Sequence, residues 1–267
     1  MNNIQKTPLQ VPTMAEMMAK GETPDILFWV GCAGSFDDRA KKITKAFVKI
    51  LNNIDVKFAV LGAEESCSGD PAKRAGNEFL FQMQAMANIE VLQAYDVKRI
   101  VTTCPHCFNT IKNEYPELGG NFDVVHHTQM LQSLIDGGRL TIEGGHYKGK
   151  KITFHDPCYL GRANNVYEAP RILIENLDAE LVEMKRCKSR GFCCGAGGAQ
   201  MFKEPEKGIK DINIERTEEA VETKAEVIAT GCPFCNTMMT DGVKNNEKEG
   251  QIEVLDLAEM IATAKDL

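Results

Sequence analysis

Short apolar runs alternate with longer amphipathic stretches along this chain. Ile26–Val30, Phe58–Leu61, Arg99–Thr103 and Phe122–Val125 have strand length. Between them, Asp37–Ile54 carries Ile43, Phe47 and Leu51 at helical spacing, and Asn77–Ala94 carries apolar residues at Phe79, Met83, Met86 and Ile89. The second half repeats the pattern, with strands expected near Lys151–His155, Leu181–Met184, Glu226–Thr230 and Ile252–Leu255. Strands that alternate with helices predict a parallel sheet in each half. The fold class is therefore α/β, as two homologous parallel-sheet repeats related by pseudo-twofold symmetry. Thr13-Met14-Ala15-Glu16 matches a capping box and predicts a short helix ahead of the first repeat.

A Gly- and Lys-rich stretch around Gly137-Gly138-Arg139 and Gly144–Lys151 separates the halves and reads as a connector that buries little apolar surface. The expected organisation is an N-terminal extension over 1–22, a first domain over 23–145 and a second over 146–267. Length agrees, because 267 residues make one large or two modest domains.

Composition narrows the function. Hydrophobic residues at 43% and charged residues at 26% are ordinary for a globular protein. With 31 Lys and Arg against 38 Asp and Glu, the net charge is −7. That balance excludes a general nucleic-acid binder, which needs a basic surface, and docking through a basic patch on an anionic membrane. No apolar run reaches transmembrane length, and Met1–Lys6 lacks the apolar core of a signal peptide. These features predict a cytoplasmic protein. There thiols stay reduced, so ten cysteines read as metal-binding or catalytic rather than as disulfides.

The cysteines themselves form the repeat. Cys32 and Cys158 are 126 residues apart, as are Cys67 and Cys193. Cys104 and Cys232 are 128 apart, as are Cys107 and Cys235. Each follows a predicted strand, and the loops of a parallel sheet emerge at one carboxyl edge. Cysteines distant in sequence are thereby expected to converge. The second set has five members, Cys158, Cys193, Cys194, Cys232 and Cys235. A zinc site or an ordinary iron–sulfur cube uses four thiolates, so a fifth suggests a larger or unusual cluster. Gly195-Ala196-Gly197-Gly198 would let the backbone approach it closely. The first set has four, Cys32, Cys67, Cys104 and Cys107, with Ser68 where the second set has Cys194. That site could hold a simpler cluster, a serine-ligated one, a zinc ion, or nothing.

These motifs resemble the CCG cysteine-rich iron–sulfur proteins, whose signature is Cys, then Cys-Cys-Gly, then Cys-x-x-Cys, in two copies. The family includes the catalytic subunit of heterodisulfide reductase, the glycolate oxidase iron–sulfur subunit and quinone-linked iron–sulfur oxidoreductases. Cys158, Cys193-Cys194-Gly195 and Cys232-Pro233-Phe234-Cys235 match fully; Cys32, Cys67-Ser68-Gly69 and Cys104-Pro105-His106-Cys107 match with one departure. Glu65–Pro71 and Arg74–Glu78 look most like the large membrane-linked members. The resemblance implies an electron-transfer or disulfide-reducing role and a non-cubane four-iron [4Fe–4S] cluster at the five-cysteine site, with a second cluster at the first. Ser68 weighs against a reaction that needs two such clusters.

The chain has no ferredoxin-type cysteine run, phosphate-binding loop or dinucleotide glycine fingerprint. Electrons are thus expected to arrive through a partner subunit carrying ferredoxin-type clusters, haem or flavin, which could hold the chain at the inner face of a membrane. Their destination would be a quinone, a flavoprotein or a disulfide. Two rival readings are a disulfide reductase whose cluster is itself catalytic, and a zinc-stabilised interaction module. Cys187 has no counterpart and reads as incidental. Trp29 and His155, equivalent residues just ahead of the first cysteine of each set, read as strand-end core or cleft-lining residues, and His126-His127 as structural. The charged runs Lys203–Lys210 and Lys244–Lys248 read as solvated faces.

Overall fold

The computed structural model describes residues 9–142, 145–204 and 207–267. The expectations for Met1–Lys6, and parts of the connector and of the run 203–210, fall outside them. The first repeat runs α1 (Met14–Ala19), β1 (Ile26–Trp29), α2 (Gly31–Phe36), α3 (Ala40–Asn53), β2 (Phe58–Ala59), α4 (Asp70–Arg74), α5 (Glu78–Ala94), β3 (Arg99–Thr102), α6 (Pro105–Asn109), β4 (Asp123–His126) and α7 (His127–Asp136). The second runs β5 (Lys151–Phe154), α8 (Glu168–Glu175), β6 (Glu180–Leu181), α9 (Ile212–Glu222), β7 (Val227–Thr230), α10 (Pro233–Asn245), β8 (Glu253–Asp256) and α11 (Leu257–Ala264).

Two four-stranded sheets have the matching orders β2-β1-β3-β4 and β6-β5-β7-β8. All pairings are parallel. The predicted strands are all present, though β2 and β6 are each two residues long, shorter than their apolar runs. Beyond Val182, whose amide still bonds Ile152, Glu183 turns away to pair with Arg171. The capping box of Thr13 and Glu16 closes α1, and Met14 and Val60 join the helix to the edge of the first sheet.

A continuous core joins the repeats. Phe28, Phe47, Leu51 and Leu131 share it with Phe154, Leu173, Leu257 and Ile261. Helix α3 packs on α11, and α7 packs on α8, the equivalent pair. His127 Nε2 lies 3.0 Å from Asp256 Oδ1 across this seam, with both side chains fully buried. The connector contributes too: Leu140 and Tyr147 are each 1% exposed in this core. The Gly- and Lys-rich stretch thus anchors itself by two large apolar side chains, contrary to its composition. In α5 the buried face is Phe81, Ala85, Ile89 and Leu92, while Phe79, Met83 and Met86 point outward. Apolar residues encircle that helix, so spacing alone does not select the face.

Candidate metal centre

Each motif cysteine lies in a loop or helix start that follows a strand. In the first repeat Cys32 opens the short helix after β1, Cys67 lies in the loop after β2, and Cys104 caps α6 directly after β3. Carboxylate oxygens of Glu65 accept the backbone N–H groups of Val30 and Gly31 at 3.0 and 2.6 Å, which tethers the loop before Cys67 to that before Cys32. Burial raises the Glu65 carboxyl to about 7. Asn88 Nδ2 donates to the Cys67 carbonyl, and Tyr115 Oη donates to the Ser68 carbonyl at 3.0 Å. Cys32 and Cys67 are hydrogen-bonded thiols, and this bond holds Cys67 down at about 6.

The second repeat follows the same plan. Cys158 follows β5 and its free thiol lies against that of Cys193; Cys232 caps α10, and the Cys235 amide donates to the Cys232 sulfur at 3.4 Å. Cys194 and Cys235 sulfurs are 3.3 Å apart. The Gly195 amide donates to Cys193 at 3.2 Å, and hydrogen bonds from Cys158 and then Cys194 lower the Cys193 thiol. Gly195 has φ +91°, which favours glycine. A side chain at Gly197 would come within 4.0 Å of the Cys158 sulfur, so the glycine loop does pass close to the thiols.

All five cysteines of the second set and all four of the first are therefore gathered in their own groups. Ser68 fills the place of Cys194 in detail: its buried hydroxyl donates to Cys107, as Cys194 contacts Cys235. The two groups also meet. The Cys104 and Cys232 thiols lie against each other; burial pushes Cys232 up, and the contacts with Cys104 and Cys235 outweigh it and hold Cys232 at about 6. Cys187 stands apart, half-buried beside Glu183 and Asp156.

Trp29 and His155 line no open cleft. Trp29 is fully buried and its Nε1 has no hydrogen-bond partner among the described residues. A His155 ring nitrogen and the Cys194 and Cys235 sulfurs lie within 4.8 Å of one another. His126 and His127 are fully buried in the seam between repeats.

Several residues around the thiols are not apparent from motif spacing. Arg171 holds Asp156, two residues before Cys158. Arg216 lies fully buried against His155. His106 Nδ1 pairs with Asp70 at 2.9 Å, Asp70 pairs with Arg74, and Arg74 pairs with Glu114. His106 lies beside Tyr159 and Phe234 of the second repeat, in a small cavity that Ala196, Ala199 and Met201 complete. Sequence offered only one signal for them: Asp70, His106, His155 and Asp156 all fall within three residues of a motif cysteine.

The cysteine-rich domain family model CCG matches residues 26–112 and again 152–240. The chain is 46% identical over 254 residues to a probable iron-sulfur-binding oxidoreductase FadF of Bacillus subtilis (strain 168), covering 95% of this chain and 36% of that protein. It is 43% identical over 252 residues to the EtfAB:quinone oxidoreductase of Syntrophomonas wolfei subsp. wolfei, covering 92% and 35%. It is 34% identical over 250 residues to a subunit of the dihydromethanophenazine:CoB–CoM heterodisulfide reductase of Methanosarcina barkeri, covering 91% and 59%. The chain thus spans little more than a third of the first two relatives.

Proposed function

We propose that this chain, which belongs to the CCG cysteine-rich domain family, is an iron–sulfur electron-transfer unit of an oxidoreductase complex. Cys158, Cys193, Cys194, Cys232 and Cys235 hold a non-cubane four-iron cluster, and Cys32, Cys67, Cys104 and Cys107 hold a second cluster. The observation that carries this reading is the convergence of the five thiols of the second set at one sheet edge, with the Cys194 and Cys235 sulfurs 3.3 Å apart. Such a set suits soft metal centres. The unpartnered Trp29 N–H in the first repeat also suits a group that accepts hydrogen bonds. When bound, the clusters supply reversible one-electron chemistry.

The chain's own residues do the rest. The helix caps at Cys104 and Cys232 and the Gly69 and Gly195 amides donate to or orient sulfur. Glu65 and Asp156 fix the loops that bear the first cysteine of each set. The division at 23–145 and 146–267 assigns one site to each repeat. The relatives named for EtfAB:quinone and heterodisulfide reductase activity support an exchange of electrons with a quinone, flavoprotein or disulfide; the partner subunit we propose would carry ferredoxin-type clusters, haem or flavin. No helix among the described residues is long and apolar enough to cross a membrane, so we propose attachment at the cytoplasmic membrane face through that partner.

The test is iron, sulfide and zinc analysis with electron paramagnetic resonance on anaerobically purified protein. Two four-iron clusters give about eight irons per chain. Cys194→Ser should abolish the second-site signal. Stoichiometric zinc without iron would refute the reading and favour an interaction module. The contact between Cys104 and Cys232 favours one further reading, a reductase that splits a disulfide at the two sites; disulfide turnover with an artificial donor tests it.

A further inference from the structure

The residue three positions before the first cysteine of each set is fully or almost fully buried and ends in a ring N–H group. In the second repeat it is His155, whose amide extends the sheet ladder by bonding to Ala229 at 3.0 Å. That bond fixes the ring at the sheet edge, where one ring nitrogen, Cys194 and Cys235 come within 4.8 Å of one another.

Arg216 decides what this ring can do. Its Nε–H donates to His155 Nδ1 at 3.0 Å. A guanidinium carries donors only, so Nδ1 must be the lone-pair nitrogen. The neutral imidazole therefore carries its proton on Nε2, and Nε2 is the ring position left to face the thiols. Arg216 is held in turn. Its Nη1 donates to the Arg186 carbonyl at 2.8 Å and to Glu219 Oε2 at 2.9 Å, and the side chain is 0% exposed. A ring locked as the Nε2–H tautomer has no lone pair there to offer iron.

We propose that His155 is a hydrogen-bond donor to the second-site cluster, with its tautomer set by Arg216, and that it raises the reduction potential of that cluster. The inference rests on the cluster assignment above. A donor favours the more negative, reduced state of a sulfur-rich centre. His155 is a positioning residue in this scheme: it ligates nothing and its proton stays on nitrogen. Trp29 occupies the equivalent place in the first repeat, and its fully buried Nε1–H has no protein partner among the described residues. Two unlike side chains at one structural position share a buried aromatic ring with an N–H group, as a common donor function requires.

The experiment is redox titration of the second-site signal in wild type, His155→Leu, His155→Gln and Arg216→Met. His155→Leu should weaken one-electron reduction about tenfold, a shift of about 59 mV to lower potential. His155→Gln, which can place an amide N–H near Nε2, should restore most of it. Arg216→Met should shift the potential in the same direction as His155→Leu with iron content maintained. Where a variant fails to load, pulsed resonance on ¹⁵N-histidine-labelled wild type replaces it. A weak coupling to one imidazole nitrogen, with an exchangeable proton, supports the donor; a strong coupling of direct iron ligation overturns it. A loaded His155→Leu protein with unchanged potential overturns the inference alone. Wild type without iron overturns the cluster assignment and this inference together.

Discussion

Replacing Arg171 by leucine should cost about 3–5 kcal/mol of folding stability, because it strands a buried carboxylate. The guanidinium uses all five of its donors. Nη1 and Nη2 grip the two oxygens of Asp156 at 2.9 and 3.0 Å, Nε and Nη2 reach Glu183 at 2.6 and 3.0 Å, and Nη1 also bonds the Tyr167 carbonyl at 2.7 Å. Both Arg171 and Asp156 side chains are 4% exposed, so Asp156 has no water to fall back on. Only the Lys188 amide, at 2.7 Å, would remain to it. Glu183 is 32% exposed and rehydrates, so its share is small. The loss is a large part of the stability of an ordinary domain, about 5–15 kcal/mol. Urea unfolding of metal-free protein measures it, with the single Trp29 and far-UV dichroism as separate probes. Because Asp156 ties the Lys188 turn to the approach to Cys158, iron at the second site should fall as well. A loss below about 1 kcal/mol would refute the reasoning. So would failure of the double variant Arg171→Leu/Asp156→Leu to recover stability, since removing both charges removes the stranded one.

Ser68→Cys should give the first site five thiols and bring its resonance spectrum toward that of the second, because the Ser68 hydroxyl already sits on Cys107 as Cys194 sits on Cys235; an unchanged spectrum in loaded protein would count against that equivalence. Gly195→Ala should cost about 1–2 kcal/mol from its φ of +91°, and its new Cβ would crowd Ile212 at 3.3 Å; calorimetry and iron analysis should both register the loss. His126 is buried, and burial first, then His127, holds its ring well below the ordinary 6.5. The unfolded chain then binds a proton that the folded chain refuses, so stability is complete above about pH 6.5 and declines below it by at most about 1.4 kcal/mol per pH unit from this group. His126→Asn keeps a capping acceptor at the start of α7 and should flatten that part of the profile in denaturation series from pH 7.5 to 5.

What the sequence displays is whatever repeats or follows a strand. The doubled cysteine intervals place eight thiols in the loops after strands, because a parallel sheet delivers all its loops to one edge. Alternating apolar runs locate the eight strands for the same reason. What stays hidden depends on partners distant along the chain. Arg216 sits in the charged run Glu215-Arg216-Thr217-Glu218-Glu219, yet α9 turns it inward onto a histidine 61 positions earlier. Arg171 likewise looks like an ordinary helix cation until Asp156 and Glu183 are seen on either side. In α5, apolar residues on every side leave periodicity unable to choose a face, and only the sheet beneath selects Phe81 over Phe79.

The contact between the two thiol groups has a geometric origin. Cys104 and Cys232 are equivalent residues of the two repeats, and each touches the other. A contact between equivalent positions lies on the internal twofold axis, as residue pairs do at an isologous interface. The paired packings of α3 on α11 and α7 on α8 obey that same axis, so the shared apolar core and the meeting of the sites are one arrangement seen from two sides. A chain with its repeats in separate cores would be free to place its sites far apart. Here Phe28, Phe47, Phe154 and Leu173 lock the repeats together, and that lock brings Cys104 to Cys232. Under the proposed assignment, clusters held by the two sets would be close enough to exchange electrons inside one chain. Buried Cys104 and Cys232 would lie between them, and the half-buried Cys32, Cys67, Cys158 and Cys193 would leave each site a face toward a partner.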